Sequence, residues 1–290
     1  MDADWDDMRT VLAVVRHGTL AGAGAALGVN YTTVARRIQR IETALGAPLF
    51  ERLKGGYQPT ETAKMVATHA GEMEAQQNGL LRALQGRDQS LKGQLVITAP
   101  QLLIGPYIAP VIARFRAEND AVDIRIRATN DLLDLNRREA DLAIRISRNP
   151  GDTLIGVRLC AQDNASFASP AVAESIAANP GQRIDWLVYE LTPSVPKQSL
   201  KHYPNAKVSL RLDDMVALVG AAQAGLGVVR MPMFLGRATE GLVQVPVLPP
   251  QPYTDIWLVG HRDVWPSVKV AAFREMLVPY FRARRSDFVG

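Results

Sequence analysis

Residues 29–46, VNYTTVARRIQRIETALG, gather Asn30, Tyr31, Thr32, Thr33, Arg36, Arg37 and Arg40 within a few turns of one short predicted helix. The chemistry open to such a set is recognition of an edge rich in acceptors. An arginine fork pairs with guanine O6 and N7 or with phosphate, and a threonine methyl packs on that of thymine. Charge runs are also common on solvated helix faces, so the flanking elements must separate the two readings.

Val34, Ile38, Ile41 and Leu45 recur at helical spacing and form one apolar stripe for a core. Thr32, Arg36, Arg40 and Thr43 fall on the opposite side, Thr33 beside them and Arg37 nearer the edge of the stripe. Asn30 is placed to cap the helix start and Gly46 to end it. Upstream, Trp5, Met8, Leu12 and Val15 predict a first helix ending at His17-Gly18-Thr19, and TLAGAGAALGV a second, closed by Gly28. Downstream, PLFERLKGGYQPT reads as a hairpin turning at Lys54-Gly55-Gly56. Two helices joined by a tight turn, the later one carrying the polar face and followed by a basic hairpin, predict an all-α winged helix-turn-helix. In that geometry Arg36 reads bases, and Arg52 and Lys54 reach phosphate or the minor groove.

These residues resemble the LysR-type transcriptional regulators. The resemblance rests on Gly18-Thr19-Leu20, Val29-Asn30, Val34-Ala35-Arg36, the run ALGAPLFER ending at Arg52, and Pro59-Thr60. Three positions depart from that pattern: Gly24 stands for an alanine, Ala35 for a serine and Lys64 for a glycine. The resemblance implies double-stranded promoter DNA as partner, a homodimer able to form a tetramer, and a small-molecule effector, often an organic acid. It also implies RNA polymerase as a partner if the regulator is an activator.

The net charge of +4 carries none of this, because residues 1–90 hold ten Lys and Arg against ten Asp and Glu. Residues 29–56, however, place Arg36, Arg37, Arg40, Arg52 and Lys54 against only Glu42 and Glu51, which focuses the field on one patch. The single cysteine, Cys160, excludes an internal disulfide, and the four histidines have no metal-ligand spacing. Neither a charged-then-apolar leader nor a bilayer-length apolar run is seen, which predicts a cytoplasmic protein with no membrane partner. No metal and no cofactor are expected.

Residues 63–91 predict a linker helix. Val66, Met73 and Leu80 lie seven apart, and Ala63, Ala70, Gln77, Leu84 and Leu91 fill a second seam position, the pattern of a helix paired with a partner copy. A monomeric helix packed on its own domain is the alternative. Domain bounds follow: 1–62 for the DNA-binding domain, 63–91 for the linker, and 92–290 for what comes next.

From residue 92 short apolar strands alternate with helices. Strands are predicted at 95–98, 122–126, 141–146 and 154–159, and helices at 106–117, 131–138, 170–178 and 266–282. This is an α/β domain. By the resemblance it is an effector-binding domain of two lobes, of periplasmic-binding-protein type, the chain crossing to the second lobe near 161 and returning near 262. Ligands in open α/β sheets sit beyond strand ends, which selects Thr98, Ala99, Pro100, Gln101, Asn130 and Arg145 from the first lobe. The loops 164–167, 193–195 and 226–228, with Val195 and Gly227, come from the second. Arg145 can equally form a salt bridge to Asp141 or another acid, Thr98 and Gln101 can cap a helix, and Gly225 and Gly227 can serve as turn or close-packing glycines. An enzyme or a solute-binding protein could share the lobes. Against the enzyme, the chain has no G-x-S-x-G and no phosphate-loop motif, and GAGAAL near Gly22 follows a helix and lacks a third glycine.

Overall fold

The computed structural model describes residues 3–53, 56–87, 90–129, 135, 139–148, 154–192 and 194–290. They form two compact units, one of residues up to Leu84 and one from Gln85 onward.

In the first unit each of the first three helices begins on a side-chain cap and ends on a left-handed glycine. Helix α1 (Trp5–His17) starts at Asp4 and stops at Gly18, α2 (Leu20–Leu27) runs from Thr19 to Gly28, and α3 (Tyr31–Leu45) from Asn30 to Gly46. Their inner faces meet in a core of Val11, Val14, Ala23, Val34, Ile38, Ile41 and Leu49, so the stripe expected on α3 is buried except for the partly buried Leu45. Gly24 has a steric reason: a Cβ there would lie 2.7 Å from the Val29 carbonyl oxygen, in the turn between α2 and α3. Strands β1 (Phe50–Leu53) and β2 (Gly56–Pro59) pair antiparallel with Arg52 opposite Tyr57. The hairpin is anchored by Tyr57 N–H donating to Gly18 O at 3.0 Å, and Phe50 meets Tyr57 edge to face.

Helix α4 (Glu61–Gly86) ends before the seam expected through Leu91, which packs on the core of the second unit instead. The heptad positions divide by location. Ala63, Ala67 and Ala70 are buried with Val66 partly so, Ala63 and Val66 in the helix-turn-helix core and Ala67 and Ala70 beside Leu12, Trp5 and Met8 of α1. Met73, Leu80 and Leu84 stay exposed at 44%, 62% and 56%. The small residues thus face side chains of α1, and the large ones lie farther along α4.

The second unit contains two mixed sheets. The first has the order β4-β3-β5-β13-β6, from β3 (Gly93–Ala99), β4 (Val122–Ala128), β5 (Leu142–Ile146), β6 (Leu154–Cys160) and β13 (Ile256–His261). β3 runs parallel to β4 and β5, and such a parallel step needs a crossover. Between β3 and β4 it is a helical run, α5 (Gln101–Leu103), a π-type turn at Ile104–Ile108 and α6 (Ala109–Glu118). This begins several residues before the helix expected at 106.

The second sheet has the order β11-β7-β10-β8-β9, with β12 also on β7. Its strands are β7 (Asp163–Ala168), β8 (Asp185–Tyr189), β9 (Lys207–Leu212), β10 (Val228–Pro232), β11 (Val243–Gln244) and β12 (Gln251–Pro252). Helices α7 (Pro170–Ala178), α8 (Ser199–His202), α9 (Met215–Gln223) and α10 (Met233–Ala238) accompany it, and α11 (Val268–Ala283) and α12 (Arg285–Phe288) complete the chain order. Because β13 belongs to the first sheet, the chain has returned by residue 256, earlier than the expected 262. Residues 164–167, expected as a loop, lie within β7. Most of the helix expected at 131–138 lies outside the described residues.

The two lobes also meet through aromatic rings. Phe288 of α12 sits 4.6 Å from Tyr107, 5.3 Å from Phe234 of α10 and 5.8 Å from Phe281 of α11, centroid to centroid, and is fully buried. Arg237 of α10 donates to the carbonyls of Ser286 and Val289, so α12 and the residues after it strap α10 to the first lobe.

Candidate nucleic-acid interface and effector cleft

The start of α3 is organised by one side chain. Asn30 Oδ1 accepts from Thr33 N–H at 2.8 Å, from Thr32 Oγ1 at 2.5 Å and from Thr33 Oγ1 at 2.9 Å. The cap expected of Asn30 is therefore present, and both threonine hydroxyls are turned back toward it. Thr32 stays exposed and Tyr31 is 62% exposed beside it.

The three arginines of α3 part company. Arg36 is exposed and bonds to none of the described residues. Arg37 Nη2 reaches Asp6 at 2.8 Å, and Arg40 holds Asp7 through Nε and Nη2, with Asp4 at 3.7 Å. Hydrogen bonding to Asp7, helped by the neighbouring acids, raises the Arg40 pKa. The acidic start of α1 thus takes up two of the three arginines that spacing alone had offered to a duplex. On the wing, Arg52 is exposed and bonds to none of the described residues, while Lys54 lies outside them.

In the second unit the first-lobe residues cluster at the end of β3. Thr98 and Ala99 are buried within the strand, Pro100 begins α5 with no side-chain cap, and Gln101 is exposed. Neither Thr98 nor Gln101 caps that helix. Arg145 lies on β5 opposite Trp257 and is half-buried. It does not pair with Asp141, whose oxygens accept from Val96 N–H at 2.8 Å and from Gln85 Nε2 at 2.5 Å. Asn130 lies outside the described residues. From the second lobe, Val195 packs on the core cluster around Trp186. Gly227 is a close-packing glycine: at φ 153° its missing Cβ would lie 2.2 Å from Asp185 O.

Sequence reading missed the residue with the most unusual surroundings here. Arg230 interrupts the apolar strand VVRMP, and that interruption was the available signal. Its Nη2 donates to Asn164 O, Pro249 O and Gln251 Oε1 at 3.2, 3.3 and 3.1 Å, and burial lowers its pKa. Among the described residues no group of three or more His, Cys, Asp or Glu could hold a metal ion, and no helix is long and apolar enough to cross a membrane.

Comparison with known proteins adds to this geometry. The family model of bacterial regulatory helix-turn-helix proteins, lysR family, matches residues 5–64, and that of the LysR substrate binding domain matches residues 88–282. The chain is 32% identical over 110 residues to the Mau operon transcriptional activator of Paracoccus denitrificans, 38% of each chain. It is 32% identical over 122 residues to the transcriptional activator IlvY of Salmonella typhimurium, 42% of this chain and 41% of the other. The chain thus spans about two fifths of the length of these curated relatives. The full-length structure of AphB, a Vibrio cholerae virulence activator of the LTTR family, matches with a TM-score of 0.59 at 19% identity, covering 96% of this chain and 99% of that one. At that identity the likeness is one of fold.

Proposed function

Because the chain belongs to the LysR family, we propose that it is a cytoplasmic, sequence-specific DNA-binding transcriptional regulator, not an enzyme, controlled by a small molecule held between its two α/β lobes. The observation that carries the reading is the exposed Arg36, one helical turn from Thr32, on a helix whose other face is the core. A guanidinium with no partner among the described residues, on the second helix of a helix-turn-helix, is free to make a bidentate contact to guanine. Arg52 and Lys54 on the wing act on phosphate or the minor groove. Asn30 caps the helix start through Thr33 N–H, with the Thr32 and Thr33 hydroxyls donating to the same Asn30 oxygen, while Arg37 and Arg40 tie α3 to the start of α1. We place the DNA-binding domain at 1–62, the linker at 63–91 and the effector domain from 92. Two copies pair through α4, a dimer of dimers gives a tetramer, and RNA polymerase is a further partner if the protein activates.

The test is binding of the full chain to a labelled fragment upstream of its own gene, over several salt concentrations with excess competitor DNA. The expected result is protection of two half-sites about one helical turn or a multiple of it apart, with affinity falling steeply as salt rises. Arg36→Ala should cost about 1–3 kcal/mol and relax sequence preference, whereas Lys54→Ala weakens all sequences alike. Absence of enriched sites in a genome-wide pull-down with folded protein would rule the reading out.

A further inference from the structure

Two adjacent residues of α10 lie in different cores. Met233 is buried with Ala165, Met231 and Leu218 in the second lobe, whereas Phe234 is buried with Tyr107, Phe281 and Phe288 in the first. The helix itself belongs to the second lobe, because a Cβ on Gly236 would strike the ring of Phe167 on β7. α10 therefore carries one large ring across the boundary between the lobes.

That boundary has a hinge. The chain crosses it between β6 and β7 and again between β12 and β13. The two crossings run side by side: Tyr253 N–H donates to Gln162 O at 2.8 Å, and Gln162 Nε2 donates to Thr254 O at 2.6 Å. Two paired crossings leave one easy motion, bending about the line they share.

The residues that follow α11 oppose this motion. On the first-lobe side, Phe288 stacks on Phe281 and packs on Tyr107, whose hydroxyl donates to Asp287 Oδ2 at 3.3 Å. On the second-lobe side, Arg237 Nη1 donates to Ser286 O and, at 2.9 Å, to Val289 O. Gly290 N–H donates to Asp163 Oδ2 at 2.9 Å, at the first crossing. Bending would slide Phe234 past Tyr107 and Phe288 and part Arg237 from both carbonyls. A close-packed ring cluster does not yield gradually, so the lobes stay put until these contacts break together.

We infer that residues 286–290 form a latch that sets the angle between the two lobes, with Phe288 as its fixed end and the Arg237 guanidinium as its catch. The two ends differ in strength. Phe288 is sealed from water, whereas Arg237 and Gly290 are exposed and water competes for their hydrogen bonds, so the catch opens first. The latch acts within the second unit alone and does not depend on what the protein binds.

The experiment reads the distance between the lobes of the full chain by pulsed electron spin resonance. Spin labels sit at Ala117→Cys on α6 and Ala177→Cys on α7, both exposed positions, with the buried Cys160 left in place. Labelled chain is diluted into excess unlabelled chain, so that only distances within one copy are read. Wild type is compared with Arg237→Met, Phe288→Ala and Phe288→Leu. Arg282→Met, which removes an exposed arginine of α11 outside the latch, is the control.

The expected outcome is a single distance in wild type and in the control. Arg237→Met gains a second population, and Phe288→Ala a larger one. The proposal is overturned if wild type already shows both populations, if the control gains the second as readily, or if Arg237→Met, melting as cooperatively as wild type, keeps the single distance. Should Phe288→Ala fail to fold, Arg237→Met and Phe288→Leu decide, since removing an exposed guanidinium opens no cavity in the core.

Discussion

Arg40 grips Asp7 through two hydrogen bonds of 2.5 Å each, and Asp7 is 1% exposed although it carries a carboxylate. A buried carboxylate persists where a cation sits against it and its lone pairs are used. The pair therefore belongs to the packing of α1 against α3. Arg36, four residues earlier, has no such tie.

That contrast makes the two arginines separable by mutation. Arg40→Ala leaves Asp7 buried without its partner and lowers the thermal midpoint of the first domain. Arg36→Ala leaves the midpoint within error and reduces operator affinity. Melting curves and DNA titrations on the two variants check this, and a stable Arg40→Ala protein would assign Arg40 to the duplex after all.

The exposed apolar residues of α4 predict the oligomeric state. Met73, Leu80 and Leu84 stand in water in the single chain, and large apolar side chains at heptad spacing are buried when two such helices pair. Leu80→Glu with Leu84→Glu should convert the dimer to a monomer in sedimentation analysis without changing helicity. Ala70→Glu, by contrast, strikes the contact with α1 and should destabilise the first domain itself. Equal effects on both properties from both substitutions would show that α4 has one role and not two.

Cys160 predicts an inert thiol. Burial, with the nearby Asp255 carboxylate, pushes its pKa from an ordinary 9.0 up to about 12. In the folded protein at pH 8 it should resist iodoacetamide and react at the usual rate only after denaturation. The same shift sets a pH dependence. The unfolded chain ionises this thiol from about pH 9 and the folded chain only near 12, so this contribution to stability is whole below 9 and is lost as pH rises through that window. Urea titrations at pH 8, 9 and 10 on wild type and Cys160→Ala read it as a difference that appears only at the higher values.

Much of the fold was legible because its signals are local. The stripe Val34, Ile38, Ile41 placed α3 with its buried side correct, and Asn30 and Gly46 marked its ends, since caps act over three or four residues. Register and partner choice were not legible in the same way. Spacing could say that Arg40 lies away from the stripe, but not that α1 would bring Asp7 to it across the turn. It could say that Ala63, Ala70, Leu80 and Leu84 share a seam, but not that the alanines meet α1 while the leucines remain exposed.

The sequence by itself determined the helix-turn-helix, its wing and the α/β alternation, because periodicity, caps and turn chemistry are set by near neighbours. Tertiary structure alone decided which arginines were spent on Asp6 and Asp7, where Asp141 sends its hydrogen bonds, and that Arg230 meets Asn164 and Gln251 without a carboxylate. Those are encounters between residues tens of positions apart, and which acid meets which base depends on how the elements pack.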